Sequence, residues 1–159
     1  MKNKTFQFTF VLALVLLVNV LKAQNAVKVE GLIDNFARTL SSKPDSALYY
    51  IKKATHQSKE LHHSFLLSRC YYNLGYYYYM QKDLARSKYY TDLSFPFAVQ
   101  SQNDKIVALN YNQLGLIYRD RSNYNKALEY FLKSLRIAEK NKLNRNTSVA
   151  LHNLGYLYE

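Results

Sequence analysis

Apolar residues recur along this chain in two ways. From Phe8 to Val18 they form a nearly unbroken run, whereas after Gln24 they return at helical spacing among polar residues. Tyr111, Leu114, Gly115 and Tyr118 have offsets of 0, 3, 4 and 7, which places them on one face of a helix. The same face returns at a fixed interval. Leu74-Gly75, Leu114-Gly115 and Leu154-Gly155 are spaced 40 residues apart, with Tyr71 and Tyr78, Tyr111 and Tyr118, and Leu151 and Tyr158 in matching places. Three of the four glycines therefore share one register.

The step continues into a second helix. Ala127 and Phe131 correspond to Ser87 and Thr91 and to Ala47 and Ile51, while Ser134 corresponds to Ser94 and Ala54. Each unit thus reads as two antiparallel helices. Glycine inside a helix costs about 1 kcal/mol against alanine, so a glycine kept in register implies close approach of the second helix. Ala127 is the expected facing small residue. The tyrosines and Phe131 fill the space beside it, each worth about 1.5–3 kcal/mol if fully buried. Ser87 and Ser94 read as permissive small positions.

This pattern resembles the tetratricopeptide repeat, whose aromatic-x-x-Leu-Gly-x-x-Tyr, then Ala, then Phe signature matches well over 68–159 and weakly over 28–67. Tyr71 and Tyr111 stand where that family usually has tryptophan, and Asp34-Asn35 replace Leu-Gly in the weak unit. The 40-residue period is similar to the longer-helix variant common in bacterial sensor and regulator proteins and in kinesin light chains. The resemblance implies an all-α fold, an α-α superhelix of antiparallel pairs. The units expected are 24–67 (degenerate), 68–107, 108–147 and 148–159, the last only a first helix. That unfinished unit suggests a truncated product or the leading piece of a longer protein.

Local signals refine the layout. Pro44 and Asp45 suit the opening of a helix, and Asp83 suits an N-cap before Leu84. Pro96 is expected to end or kink its helix near Phe95. The polar stretch Asn141 to Thr147 reads as the loop into the last helix.

The N-terminal run changes the picture of location. Lys2 and Lys4, the apolar stretch to Val18, and a polar region ending at Ala23 before Gln24 have the three-part layout of a secretory signal peptide over 1–23. The eleven residues from Phe8 to Val18 fall short of the about 20 needed to span a bilayer. The chain is therefore expected to be exported, on the periplasmic or extracytoplasmic side of a bacterial membrane. Membrane contact is expected only through this segment or a missing C-terminal part.

Charge and candidate chemistry add less. The chain carries +11, and removing Lys2, Lys4 and Lys22 from its 22 basic residues leaves 19 against 11 acidic, about +8. The charges never form a block, so a solvated basic surface that attracts acidic partners is expected rather than a nucleic-acid track. Cys70 is the sole cysteine and reads as a small buried residue. His56 and His63 are expected to share a helix face two turns apart, about 10 Å, too far for one metal ion. No catalytic arrangement or cofactor motif appears, so neither enzyme activity nor a cofactor or metal is expected. Asn146-Thr147-Ser148 fits a glycosylation acceptor that matters only in a eukaryotic secretory pathway.

By the resemblance, partners contact the concave stripe of the first helices. Carried over, that stripe holds Arg69, Tyr72, Tyr76 and Tyr79, then Leu109, Asn112, Leu116 and Arg119, then Val149, His152 and Tyr156. A protein or peptide of acidic character fits such a tyrosine-rich groove flanked by arginines. The alternative is the sensor region of a bacterial signalling protein, ahead of a histidine kinase or helix-turn-helix domain. RNA binding ranks below both, because the stripe is chiefly tyrosine, leucine and asparagine.

Overall fold

The chain folds on a 20-residue step. A computed structural model describes residues 2–157, with side chains from residue 10 onward; Tyr158, which the repeat places with Leu154, lies outside the described residues, as do the side chains of Lys2, Lys4 and Phe8. Within them run α1 (Lys2–Thr39), α2 (Pro44–Glu60), α3 (Ser64–Met80), α4 (Leu84–Gln100), α5 (Asp104–Asp120), α6 (Tyr124–Lys140) and α7 (Asn144–Gly155). From α2 to α6 each helix has 17 residues, and a three-residue turn completes the step. Helix pairs therefore open at Ser64, Asp104 and Asn144, four residues before the unit boundaries placed at 68, 108 and 148.

One turn chemistry is used five times. His62, Lys82, Gln102, Ser122 and Lys142 all have positive φ, between 50° and 60°. In each turn the left-handed residue donates its N–H to the carbonyl three residues back, as Lys82 does to Tyr79. The next residue donates to the carbonyl five back, as Asp83 does to Tyr78. These paired bonds close the helix end as a Schellman motif. The residue that completes the motif also starts the following helix. Asp83, Asn103 and Asn123 accept from the N–H three residues on, and His63 does so through Nδ1 at 3.5 Å. Leu143 has no such side chain and leaves α7 without this cap.

Three local expectations change. Pro96 does not end α4, which continues to Gln100; the proline is exposed, so the carbonyl it leaves unpaired stays within reach of water, and buried Ala98 holds the last turn on the body. Asn144 to Thr147 are helical, and the loop into α7 is only Asn141 to Leu143. His56 and His63 do not share a helix. His56 lies on α2 beside Glu60 at 3.4 Å, while His63 caps α3.

Packing follows the 40-residue period. Tyr90 stacks between Tyr71 and Tyr78, at centroid distances of 6.4 and 5.4 Å; Tyr130 stacks between Tyr111 and Tyr118, at 6.1 and 5.4 Å. A cation covers the outer ring of each stack, Arg86 over Tyr78 at 4.3 Å and Lys126 over Tyr118 at 5.1 Å. Tyr50 holds the corresponding place in α2, but its would-be partners are Gly31 and Arg38, and no stack forms there among the described residues. The first unit therefore lacks the stack of the next two.

Gly75 and Gly115 face the second helix as expected, but not where expected. A Cβ on Gly115 would meet the ring of Phe131 first, not Ala127. On Gly75 it would meet Thr91 Oγ1 at 2.7 Å, Gln113 Nε2 at 2.8 Å and the Ser87 carbonyl at 3.2 Å. Ser94 is more than permissive: its hydroxyl donates to the Ser68 carbonyl at 2.8 Å, and Ser134 repeats the bond to Ala108 at 2.8 Å. Cys70 is fully buried, 3.6 Å from Ser58 Oγ, and burial pushes its thiol pKa up to about 11.

Helix α1 is bipartite. Val29, Ile33 and Phe36 are buried with Ala47, Ile51 and Ala54 of α2 in one cluster. Upstream, the apolar residues from Phe10 to Leu21 stand exposed, and the helix continues unbroken through Ala23 and Gln24. By length and composition α1 is apolar enough to cross a membrane, a test that a signal sequence at an N-terminus passes equally.

Candidate binding surface on the odd-numbered helices

Adjacent helices touch throughout, but only odd-numbered helices reach the next of their own kind: α1 meets α3, α3 meets α5 and α5 meets α7. Even-numbered helices touch only the helices before and after them. The odd helices therefore form the shorter, continuous inner layer of a curved stack, and the even helices the outer one.

The inner layer is stitched by polar contacts between side chains about one repeat apart. Arg69 pairs with Glu30 of α1; Arg119 Nη2 donates to the Tyr79 hydroxyl at 3.1 Å; Asn153 Nδ2 donates to Asn112 Oδ1 at 2.8 Å. Arg119 also pairs with Asp120 at 2.9 Å, and Lys82 approaches Asp120 at 3.9 Å. Burial, followed by the hydrogen bond and negative charge of Asp120, raises Tyr79 to about 12, with Arg119 opposing. Four of the stripe residues thus serve repeat-to-repeat contact: Arg69, Tyr79, Asn112 and Arg119.

The rest form rows across the layer. Leu109 and Val149 continue the row of Arg69; Tyr72, Asn112 and His152 form the second; Tyr76, Leu116 and Tyr156 form the third. Tyr72, Tyr76, Leu109 and Leu116 are half-buried, whereas Val149, His152 and Tyr156 are exposed, Tyr156 by 57%. His152 and Tyr156 meet edge to face at 4.9 Å. Desolvation raises the Tyr72 phenol well above its ordinary pKa, Tyr76 adds to this, and the positive charge of Arg145 opposes it.

Sequence reading passed over the polar residues beneath this face. Asn110, fully buried, donates through Nδ2 to Ser94 Oγ at 2.9 Å, and Gln113 Nε2 reaches Ser87 Oγ at 3.3 Å. Asn110 Oδ1 and Gln113 Oε1 are buried without a protein partner. A signal was present: Asn110 holds the register of Cys70 and Ala150, both small and apolar, while the first unit has Glu30 there. No group of three or more His, Cys, Asp or Glu side chains fit to hold a metal occurs among the described residues. Two cavities, one beside Asn25, Lys28, Gln57 and Glu60 and one around Arg121 to Asn125, lie apart from these rows.

Antiparallel helix pairs stacked into a curved inner and outer layer define an α-solenoid. Residues 106–159 match the family model described as tetratricopeptide repeat, and that match with the seven consecutive helices fits a tetratricopeptide repeat protein. Such repeats generally mediate protein–protein interaction, and the family is generally a non-catalytic scaffold. No curated protein matched the chain.

Proposed function

We propose that this chain is an exported, non-enzymatic scaffold that binds a protein or peptide on its inner layer. The observation that carries the reading is the set of rows across α3, α5 and α7. They align Tyr72, Tyr76, Leu109, Leu116, Val149 and Tyr156 on one concave surface, partly accessible and largely apolar or aromatic. Aromatic side chains supply contact area at low entropic cost, and a curved row accepts an extended or helical segment. Export rests on the exposed apolar N-terminal part of α1.

Selection of short random peptides against the full chain tests the binding face. Selected peptides should lose at least tenfold in affinity to Tyr76→Ala/Tyr156→Ala and keep it with the outer pair Tyr49→Ala/Tyr89→Ala. Loss confined to the outer pair would move the function off the inner layer. Export is checked by alkaline phosphatase fused after Glu159, which stays inactive in bacteria if the chain is not translocated.

A further inference from the structure

We infer that the chain is cut between Ala23 and Gln24, and that the terminal glutamine so exposed closes on itself to a pyroglutamyl residue. The inference rests on the export proposed above. Upstream of this bond the apolar side chains from Phe10 to Leu21 are exposed. Downstream, packing begins within three residues: Ala26 lies against the first core cluster, and Val29, Ile33 and Phe36 are buried in it. The residues from Leu21 to Asn25 are all exposed, so a peptidase at the membrane can reach the bond between them.

The repeat places its own boundary at the same bond. Helices α3 and α5 open 40 residues apart, at Ser64 and Asp104, and one more step back from Ser64 is Gln24. A helix of the 17-residue length shared by α2 to α6 that ended at Thr39, as α1 does, would begin at Ala23. Both counts fall on the two residues that the N-terminal layout sets at the cut. Ala23 is the small side chain such a site needs. Leu21, two residues before it, is larger than the usual choice, so exposure and register carry the assignment as much as side-chain size does. Cleavage sheds the exposed apolar stretch and leaves Gln24 to Thr39, one residue short of the common length, with the packed face of α1 entire.

The new end has its own chemistry. A free α-ammonium on the first residue of a helix sits at the positive end of the helix dipole. Lys28 already brings its ammonium to Asn25 Oδ1 at 3.5 Å in the same turn. Gln24 removes the terminal charge without a co-reactant. Its uncharged α-amine attacks its own side-chain Cδ; a bond from the amine nitrogen to Cδ forms, the bond from Cδ to the side-chain nitrogen breaks, and ammonia leaves with one proton from the amine. The five-membered lactam forms within residue 24, whose side chain is exposed, so the helix beyond it is undisturbed. The closed end carries neither a charge nor the primary amine that an aminopeptidase requires.

The full chain, tagged at its C-terminus, is exported from a Gram-negative bacterium, aged at neutral pH, and read by intact mass and N-terminal sequencing. The mass should equal that of residues 24–159 and the tag less one ammonia. Sequencing should be blocked until pyroglutamyl aminopeptidase removes one residue, and should then begin at Asn25. Gln24→Ala should be cut at the same bond and keep a free amine, whereas Ala23→Phe, too bulky for the cut, should stay full length in the membrane fraction. Retention of residues 1–23 in the exported wild type, or a cut at another bond, would overturn the inference while leaving export intact. A chain cut before Gln24 that keeps its free amine after ageing would overturn the modification. A chain that remains in the cytoplasm, with the phosphatase fusion inactive, would overturn the export reading as well.

Discussion

Alanine at Gly115 and alanine at Gly155 should move stability in opposite directions, although both glycines occupy one register position of the repeat. At Gly115 the new Cβ would overlap the Phe131 ring, which is fully buried and has no open side to move toward. Overpacking of a closed core costs about 1–3 kcal/mol, and direct overlap with a rigid ring belongs at the upper end. The gain from replacing a mid-helix glycine offsets about 1 kcal/mol of it. The net expectation is about 2 kcal/mol of destabilisation, or about 4–8 °C in Tm for a chain of this size. At Gly155 a Cβ meets nothing within 4 Å among the described residues. Only the propensity gain remains there, at most about 1 kcal/mol because the residue closes α7. Urea denaturation followed by far-ultraviolet circular dichroism reads both changes as shifts in midpoint at constant slope. A double-mutant cycle sharpens the first: Phe131→Leu should recover part of the loss in Gly115→Ala, although it is destabilising alone. Equal shifts of the same sign at the two glycines would refute the argument. Additivity in the cycle would show that Phe131 is not what glycine makes room for.

Four further outcomes follow from the turns and the buried groups. Leu143→Asp supplies the N-cap that Asp83, Asn103 and Asn123 provide elsewhere, and should stabilise α7 by about 0.5–2 kcal/mol, read as slower amide exchange over residues 145–150. Ser122→Gly relieves a left-handed residue that is not glycine and should be neutral to stabilising by up to about 1 kcal/mol, whereas Ser122→Val should destabilise by more than that; midpoint shifts in urea decide it. Because the fold raises Tyr79 to about 12 from an ordinary 10.0, its contribution should be constant below pH 10 and lost between pH 10 and 12, and Tyr79→Phe should flatten that fall in a pH series of urea midpoints. Cys70, with its thiol pKa near 11, should resist alkylation at mildly alkaline pH in the native chain and react fully in denaturant.

Much of the fold was legible because it repeats. The three Leu-Gly pairs, Asp83 before Leu84 and Pro44 at a helix start are local signals, and local backbone chemistry answers to them. The inner stripe was legible as periodicity, since residues 3, 4 and 7 apart on a helix must share a face whatever packs against it. The partners across the interfaces were not. Pro96 reads as a break because propensity counts a lost hydrogen bond, and tertiary burial of its neighbours outweighed that loss. Ser94 reads as a permissive small position and Asn110 was passed over, yet they bond helix to helix, a matter of distances between residues 16 and 26 apart in sequence. The arginines of the stripe looked free for a ligand until α1 and α3 supplied Glu30 and Tyr79. Sequence by itself determined the period, the helices and their faces, because these follow from spacing along one chain. Only the tertiary structure decided which side chains the stack consumes and which it leaves for a partner, because curvature sets the distances between helices.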